Sequence, residues 1–177
     1  MLVPACLAVA GLIAPSLAAA QDVAITNARV IVGSGQVIES GTIIVRGGRI
    51  VSVTAGAAPT EGLRTIDAKG MSAMLGFIDG HKHVNNGENA AAQMRSLLVV
   101  LEHGLKSFSI VFSMADIHKL IGPNAARYVG MADQIGTLEA GKLADIILID
   151  GNRTLNIYEM LKTKVVLKEG TVVIDKR

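Results

Sequence analysis

Two histidines one residue apart, His81 and His83, close a short run that reads Gly76-Phe77-Ile78-Asp79-Gly80-His81-Lys82-His83. On a β-strand from Phe77 to His83, successive side chains alternate between faces, so Asp79, His81 and His83 project from one side. Imidazole nitrogens held in that way suit zinc, copper, iron or nickel, and the neighbouring glycine leaves room for an ion and a water. The other reading is an exposed strand with two solvated histidines, because histidine has many uses besides metal ligation. Asp79 is a ligand, an outer acceptor for an imidazole N–H, or the strand's polar residue; the outer acceptor is preferred. Lys82 points to the opposite face.

Several elements must position this segment. Val23 to Val32 has the apolar density of a strand, and Thr42-Ile43-Ile44-Val45 and Ile50-Val51-Ser52-Val53 flank Gly47-Gly48. Two glycines permit the positive φ angles of a tight primed turn, so a hairpin is expected here. A second hairpin is expected where Lys164-Val165-Val166-Leu167 and Thr171-Val172-Val173-Ile174 flank Glu169-Gly170. Ala90, Met94, Leu97, Leu98 and Leu101 repeat at helical spacing before Gly104. Ser113 is placed to cap a helix through Ile121, and Asn124 to Val129 continues helically until Gly130.

The remaining titratable candidates read as structural. His103 falls in the last helical turn, where a cation suits the negative end of the helix dipole. His118 lies between Ile117 and Lys119 and is expected to be solvated unless it approaches His81. Lys142 follows Gly141 in a turn and reads as a surface residue.

Residues 1–20 are small and apolar, with Leu7 to Ile13 as their centre and Ala18-Ala19-Ala20 before Gln21. That is the pattern of a cleaved signal peptide, so export to the periplasm or beyond is expected, with no membrane attachment after cleavage. No Lys or Arg precedes the apolar stretch, and a membrane anchor is the competing reading, against which stand a run shorter than a typical span and the prolines Pro4 and Pro15. Cys6, the one cysteine, falls inside this leader, which leaves His, Asp and Glu as metal donors in the mature chain. The net charge of +2 comes from dispersed Lys and Arg, and with three Phe, two Tyr and no Trp there is little to stack on bases. A nucleic-acid partner is not expected.

The histidine segment, Met74-Leu75-Gly76-Phe77-Ile78-Asp79-Gly80-His81-Lys82-His83, resembles the PGFIDxHxH-like motif that ends the first barrel strand in the amidohydrolase superfamily, with Leu75 in the proline place. Ile135-Gly136-Thr137-Leu138-Glu139-Ala140-Gly141-Lys142-Leu143-Ala144-Asp145-Ile146-Ile147-Leu148-Ile149-Asp150 is similar to the IGTLEPGKLADLVVLD signature near the end of such enzymes. Asn124-Ala125-Ala126-Arg127-Tyr128-Val129-Gly130 resembles the family's NPARxLG helix. The likeness, of the imidazolonepropionase-like or secreted type, covers 23 to about 106 and about 114 to 174.

The resemblance implies an α+β fold: a small composite β-sandwich built from both chain ends, 21–75 and 132–177, with 76–131 as the remnant of a TIM-type barrel. A complete barrel needs roughly 250 residues, and this chain has 177 in all. The family's remaining ligands, a lysine and two further histidines, and its acid/base aspartate have no counterpart here. The resemblance therefore implies a metal-dependent hydrolase of C–N bonds, in amides or cyclic amides, with His81 and His83 binding zinc or another divalent metal. It also implies that this short chain has little or no turnover.

Three outcomes follow. In the first, subunits pool His81, His83, Asp79 and Glu88 or His118 at an interface and act on a small-molecule amide. In the second, the chain is a non-catalytic β-sandwich module for binding or oligomerisation. In the third, it is a deletion product without function. Homo-oligomerisation is expected, because helix faces and the run Phe108-Ser109-Ile110-Val111-Phe112 would otherwise stay exposed.

Overall fold

Alternation of β-branched residues and well-placed turns builds a mixed sheet in this chain. The computed structural model describes residues 21–78, 113–151, 159 and 162–177. Strands β1 (Val23–Ile31), β2 (Val37–Arg46), β3 (Arg49–Ala55), β4 (Arg64–Asp67) and β5 (Ser72–Leu75) precede the helical segment. Strands β6 (Ile146–Ile149), β7 (Thr163–Lys168) and β8 (Thr171–Asp175) follow it. All eight join one sheet in the order β3-β2-β1-β5-β6-β7-β8, with β4 beside β1. The fold is α+β.

One kink lets β1 serve two neighbours. Val23 to Thr26 runs parallel to β4, whereas Arg29 to Ile31 runs parallel to β5. Between them Asn27 adopts φ 51°, a left-handed conformation that asparagine tolerates better than most residues. Its side-chain amide donates to Asp67 Oδ1 at 3.0 Å, which ties the kink to the end of β4.

The two chain ends meet where β5 pairs antiparallel with β6, Leu75 opposite Ile146 and Ser72 opposite Ile149. Both strands are buried along their whole length, which explains the continuous apolar run of Ile146 to Ile149: a strand covered on both faces has no wet side. On one face Leu75, Ile146 and Leu148 join Val23, Ile43 and Leu167 in the main core. On the other, Met74, Ile147 and Ile149 meet Ile117 and the partly buried Met114, Ile121 and Phe77.

That second layer comes from α1 (Met114–Lys119) and α2 (Ala125–Tyr128). Ser113 caps α1 as expected, its Oγ accepting the Asp116 amide at 3.2 Å and donating to the Asp116 carboxylate at 2.6 Å. The helix does not run unbroken through Ile121: Leu120–Asn124 widens into a π-helical turn containing Pro123. Proline has no N–H to give, so the regular ladder has no donor at this point. Gly122 in that turn permits close packing, since a Cβ there would lie 2.8 Å from Leu75 Cδ2 and 2.9 Å from the Gly136 carbonyl oxygen.

Both expected hairpins are present, and they share one geometry. Gly47 and Gly48 have φ 54° and 80°, and Glu169 and Gly170 have φ 47° and 74°, the double positive pattern of primed two-residue turns. In the first, Arg46 faces Arg49, Val45 faces Ile50 and Ile44 faces Ser52, so Val51 is bulged out. In the second, Lys168 faces Thr171, Leu167 faces Val172 and Val166 faces Ile174, so Val173 is bulged out. The turns touch: a Cβ on Gly170 would sit 2.8 Å from Gly48 Cα. Ala144 lies between them, its N–H donating to Gly48 O at 2.9 Å and its carbonyl accepting from Gly170 N at 3.1 Å.

The predicted strand from Phe77 to His83 is not formed in its described part. β5 ends at Leu75, and Phe77 and Ile78 are outside any strand. Beyond Leu75 the chain leaves the ladder for two single hydrogen bonds, Gly76 N to Asp145 O at 2.9 Å and Ile78 N to Ile121 O at 3.3 Å. The leader with Cys6, the helix expected from Ala90 to Leu101, and Glu88, His103 and Phe108 to Phe112 lie outside the described residues. Among the described residues no helix is long and apolar enough to cross a membrane.

Candidate functional site

Asp79, His81, Lys82 and His83 also lie outside the described residues. What the structure defines is the root from which they depart, Gly76 to Ile78, and the residues that hold it. Gly76 is bonded to the main chain of Asp145, whose carboxylate is engaged twice more. Asp145 Oδ1 accepts the Glu169 amide at 2.8 Å, and Oδ2 accepts Lys168 Nζ at 2.7 Å. One residue therefore joins the root of the histidine segment to the turn between β7 and β8.

The same clamp is built at the other hairpin. Asp22 Oδ1 accepts the Gly47 amide at 3.1 Å and Oδ2 accepts Arg46 Nη1 at 3.2 Å. The Asp22 carbonyl accepts from Arg64 N, the first residue of β4, at 3.2 Å. Each aspartate immediately precedes a strand, each holds the turn amide and the basic residue before it, and each passes its carbonyl to a flanking segment. The C-terminal clamp is the more enclosed, with side-chain exposures of 25% for Asp145 and 46% for Asp22.

Burial alone would lower the Lys168 ammonium pKa. The hydrogen bonds and charges of Asp145 and Glu169 outweigh that and raise it above its ordinary value. Beside this pair a cavity of about 230 Å³ opens between Gly76 to Ile78 and Ile135 to Thr137, with Asp145 and Lys168 in its wall. A second cavity, of about 240 Å³, lies under the Gly33 to Gly35 loop against α1.

His118 lines that second cavity and corrects the expectation of a solvated side chain: it is 5% exposed. The reason is spacing, not its sequence neighbours. Met114, Ile117, His118 and Ile121 recur at the three- and four-residue intervals that put side chains on one helix face, and this is the face laid on the sheet. Lys142 takes a structural part, its ammonium donating to the Ala132 carbonyl. Among the described residues no three His, Cys, Asp or Glu side chains come together as a metal site.

Sequence reading missed the two aspartate clamps. The signal was available as a self-similarity: Asp22 before Val23 with Arg46-Gly47-Gly48-Arg49, and Asp145 before Ile146 with Lys168-Glu169-Gly170-Thr171.

Comparison with known proteins agrees with this architecture. The model of the Amidohydrolase family matches residues 94–174. An S-triazine hydrolase from Gordonia rubripertincta is 35% identical over 98 residues, which is 55% of this chain and 19% of that protein. An N-acyl-D-aspartate deacylase from Alcaligenes xylosoxydans xylosoxydans is 42% identical over 62 residues, 35% of this chain and 12% of that protein. The chain thus spans a fifth or less of the length of these curated relatives. Among solved structures, a Bifidobacterium longum protein assigned as a prolidase superposes with a TM-score of 0.72 at 10% identity, over 90% of this chain and 97% of that one. Molinate hydrolase gives 0.69 at 9% identity, over 88% and 95%. At such identities these two likenesses bear on the fold alone.

Proposed function

We propose that this chain, a member of the amidohydrolase superfamily by its sequence matches, is an exported, metal-binding, amidohydrolase-like protein with weak or no hydrolysis of C–N bonds. The observation that carries this reading is the root at Gly76 to Ile78. One of its hydrogen bonds goes to Asp145, beside the seam where the two ends meet, and the other to Ile121 in the helical layer, so the histidine segment departs from beside that seam. A composite β-sandwich from 21–75 and 132–177, and a barrel remnant from 76–131, is the finer reading of that fold. It is supported by one core that mixes side chains from both ends.

His81 and His83 are proposed as the ligands of zinc or another divalent ion, with export resting on the apolar leader at 1–20. A bound metal would supply an acidified water and a polarised substrate carbonyl. The donors do not fit a working catalytic centre. Such centres use three protein ligands and an open position, whereas this chain offers two histidines with Asp79, and no described trio completes them. No reaction step is therefore assigned to the metal, and low activity follows from the donor count. A small-molecule amide is the proposed substrate class.

The test is hydrolysis of dipeptides, imides, ureides and acylated amino acids with zinc added. Slow turnover that vanishes in His81→Ala supports the reading, and turnover that survives His81→Ala/His83→Ala overturns it. A second reading, a non-catalytic β-module that associates with copies of itself, is favoured by the exposed Leu120, Tyr128, Val129 and Met131 of the helical layer. It predicts no turnover, stability indifferent to chelators, and a mass above that of one chain in solution.

A further inference from the structure

Asp22 and Asp145 hold equivalent turns in equivalent ways, yet they hand their carbonyls to different segments. Asp22 receives Arg64, which opens the edge strand β4. Asp145 receives Gly76, from which the chain leads through Ile78 to Asp79, His81 and His83. Phe77 packs against the second core cluster, while the rest of that root borders the cavity of about 230 Å³. Two amide hydrogen bonds hold Gly76 and Ile78, and the shorter, at 2.9 Å, ends on Asp145. Asp145 sits between Ala144, bonded to Gly48 and Gly170, and the first residue of β6, and its carboxylate adds two further holds, Lys168 at 2.7 Å and the Glu169 amide at 2.8 Å.

We infer that Asp145 is a positioning residue, which transmits the geometry of the β7–β8 turn through Gly76 to the start of the histidine segment, and that Asp22 does not share this role. The functional meaning rests on the reading of His81 and His83 given above; the mechanical coupling does not. Losing the Asp145 carboxylate removes two of the holds on residue 145 and lets its carbonyl shift with Gly76 toward the adjoining cavity. Losing the Asp22 carboxylate loosens β4 and leaves Gly76 in place.

Amide hydrogen exchange on the metal-free protein tests this, with Asp145→Ala and Asp22→Ala compared and rates referred to the core amide of Ile43. Protection of Gly76 is expected to fall about tenfold in Asp145→Ala and to stay unchanged in Asp22→Ala, while Arg64 shows the converse. Asp145→Asn keeps an acceptor for the Glu169 amide and is expected to restore most of the Gly76 protection. Lys168→Met, which leaves the main chain and Asp145 intact, provides a milder loosening of Gly76 should Asp145→Ala not fold. Equal loss at Gly76 and Arg64 in both variants, or no loss at Gly76 in either Asp145→Ala or Lys168→Met, would overturn the inference. A chain that takes up no zinc would sink the hydrolase reading and leave this result standing.

Discussion

The two hairpins of this protein are the same device made with different residues. Arg46-Gly47-Gly48-Arg49 meets its turn with two glycines, for which positive φ carries no steric penalty, whereas Lys168-Glu169-Gly170-Thr171 places a glutamate at φ 47°. The C-terminal turn is also the one with the more enclosed aspartate and the shorter bonds to it. Backbone strain at Glu169 is tolerated where an Asp145 carboxylate grips its amide. The turn that carries the strain is the one connected to the histidine segment. The first hairpin is a structural copy without that connection.

The sharpest way to break the equivalence is steric. Gly170→Ala adds a Cβ within 2.8 Å of Gly48 Cα at φ 74°, and left-handed strain with overpacking should cost about 3 kcal/mol. Gly47→Ala, at φ 54° with nothing within 4 Å, should cost about 1 kcal/mol. Urea denaturation of the two variants checks the gap, and equal losses would mean that the turns are not in contact.

Next in size are the clamps. Asp145→Ala should lose about 2 kcal/mol and Asp22→Ala about 1 kcal/mol, since both break charge-assisted hydrogen bonds but the second pair is better solvated. Thermal unfolding measures both, and an Asp22 variant that is the weaker of the two contradicts the ranking. A smaller effect is expected for Glu169→Gly, where relief of strain and added chain entropy nearly cancel, leaving a change under about 1 kcal/mol. In an Asp145→Ala background the same change should become more stabilising, which a double-mutant cycle reads directly.

The mildest contrast is electrostatic. β8 ends in a pair that β3 lacks: Asp175 bonds Arg177, which also reaches the Asp67 carbonyl. The Arg177 guanidinium holds the Asp175 carboxyl at a pKa of about 2, against an ordinary 3.8. A depressed carboxylate contributes above its unfolded pKa and loses that contribution as pH falls, so this end should loosen between pH 3.8 and about 2. Carboxyl NMR titration should find the low midpoint in the wild type and a rise toward 3.8 in Arg177→Ala. At the other extreme, the raised Lys168 ammonium favours folding up to its ordinary pKa of 10.5 and loses its grip on Asp145 as pH climbs beyond the folded value.

Both hairpins were legible in the sequence because glycine-containing turns between β-branched runs admit few other structures. The seam was not: Ser72–Leu75 and Ile146–Ile149 are four residues each and buried on both faces, so neither shows the alternation that marks a strand. β4 was hidden for a similar reason, being four residues with one buried side chain. His118 was misjudged from Ile117 and Lys119, when its relation to Met114 and Ile121 decides its face. The aspartate clamps depend on partners more than 20 residues away, so their trace in the sequence is the resemblance of two separated pairs of segments and not a local pattern. The histidine pair stood out as a motif, while the hydrogen bonds that set its root are tertiary.

Metal content tests the central claim most directly. Zinc and other divalent ions are counted per chain of untagged protein, beside His81→Ala/His83→Ala prepared in the same way. The account predicts metal in the wild type that is lost from the double variant. A folded wild type without metal, or one holding no more than the variant, would contradict it.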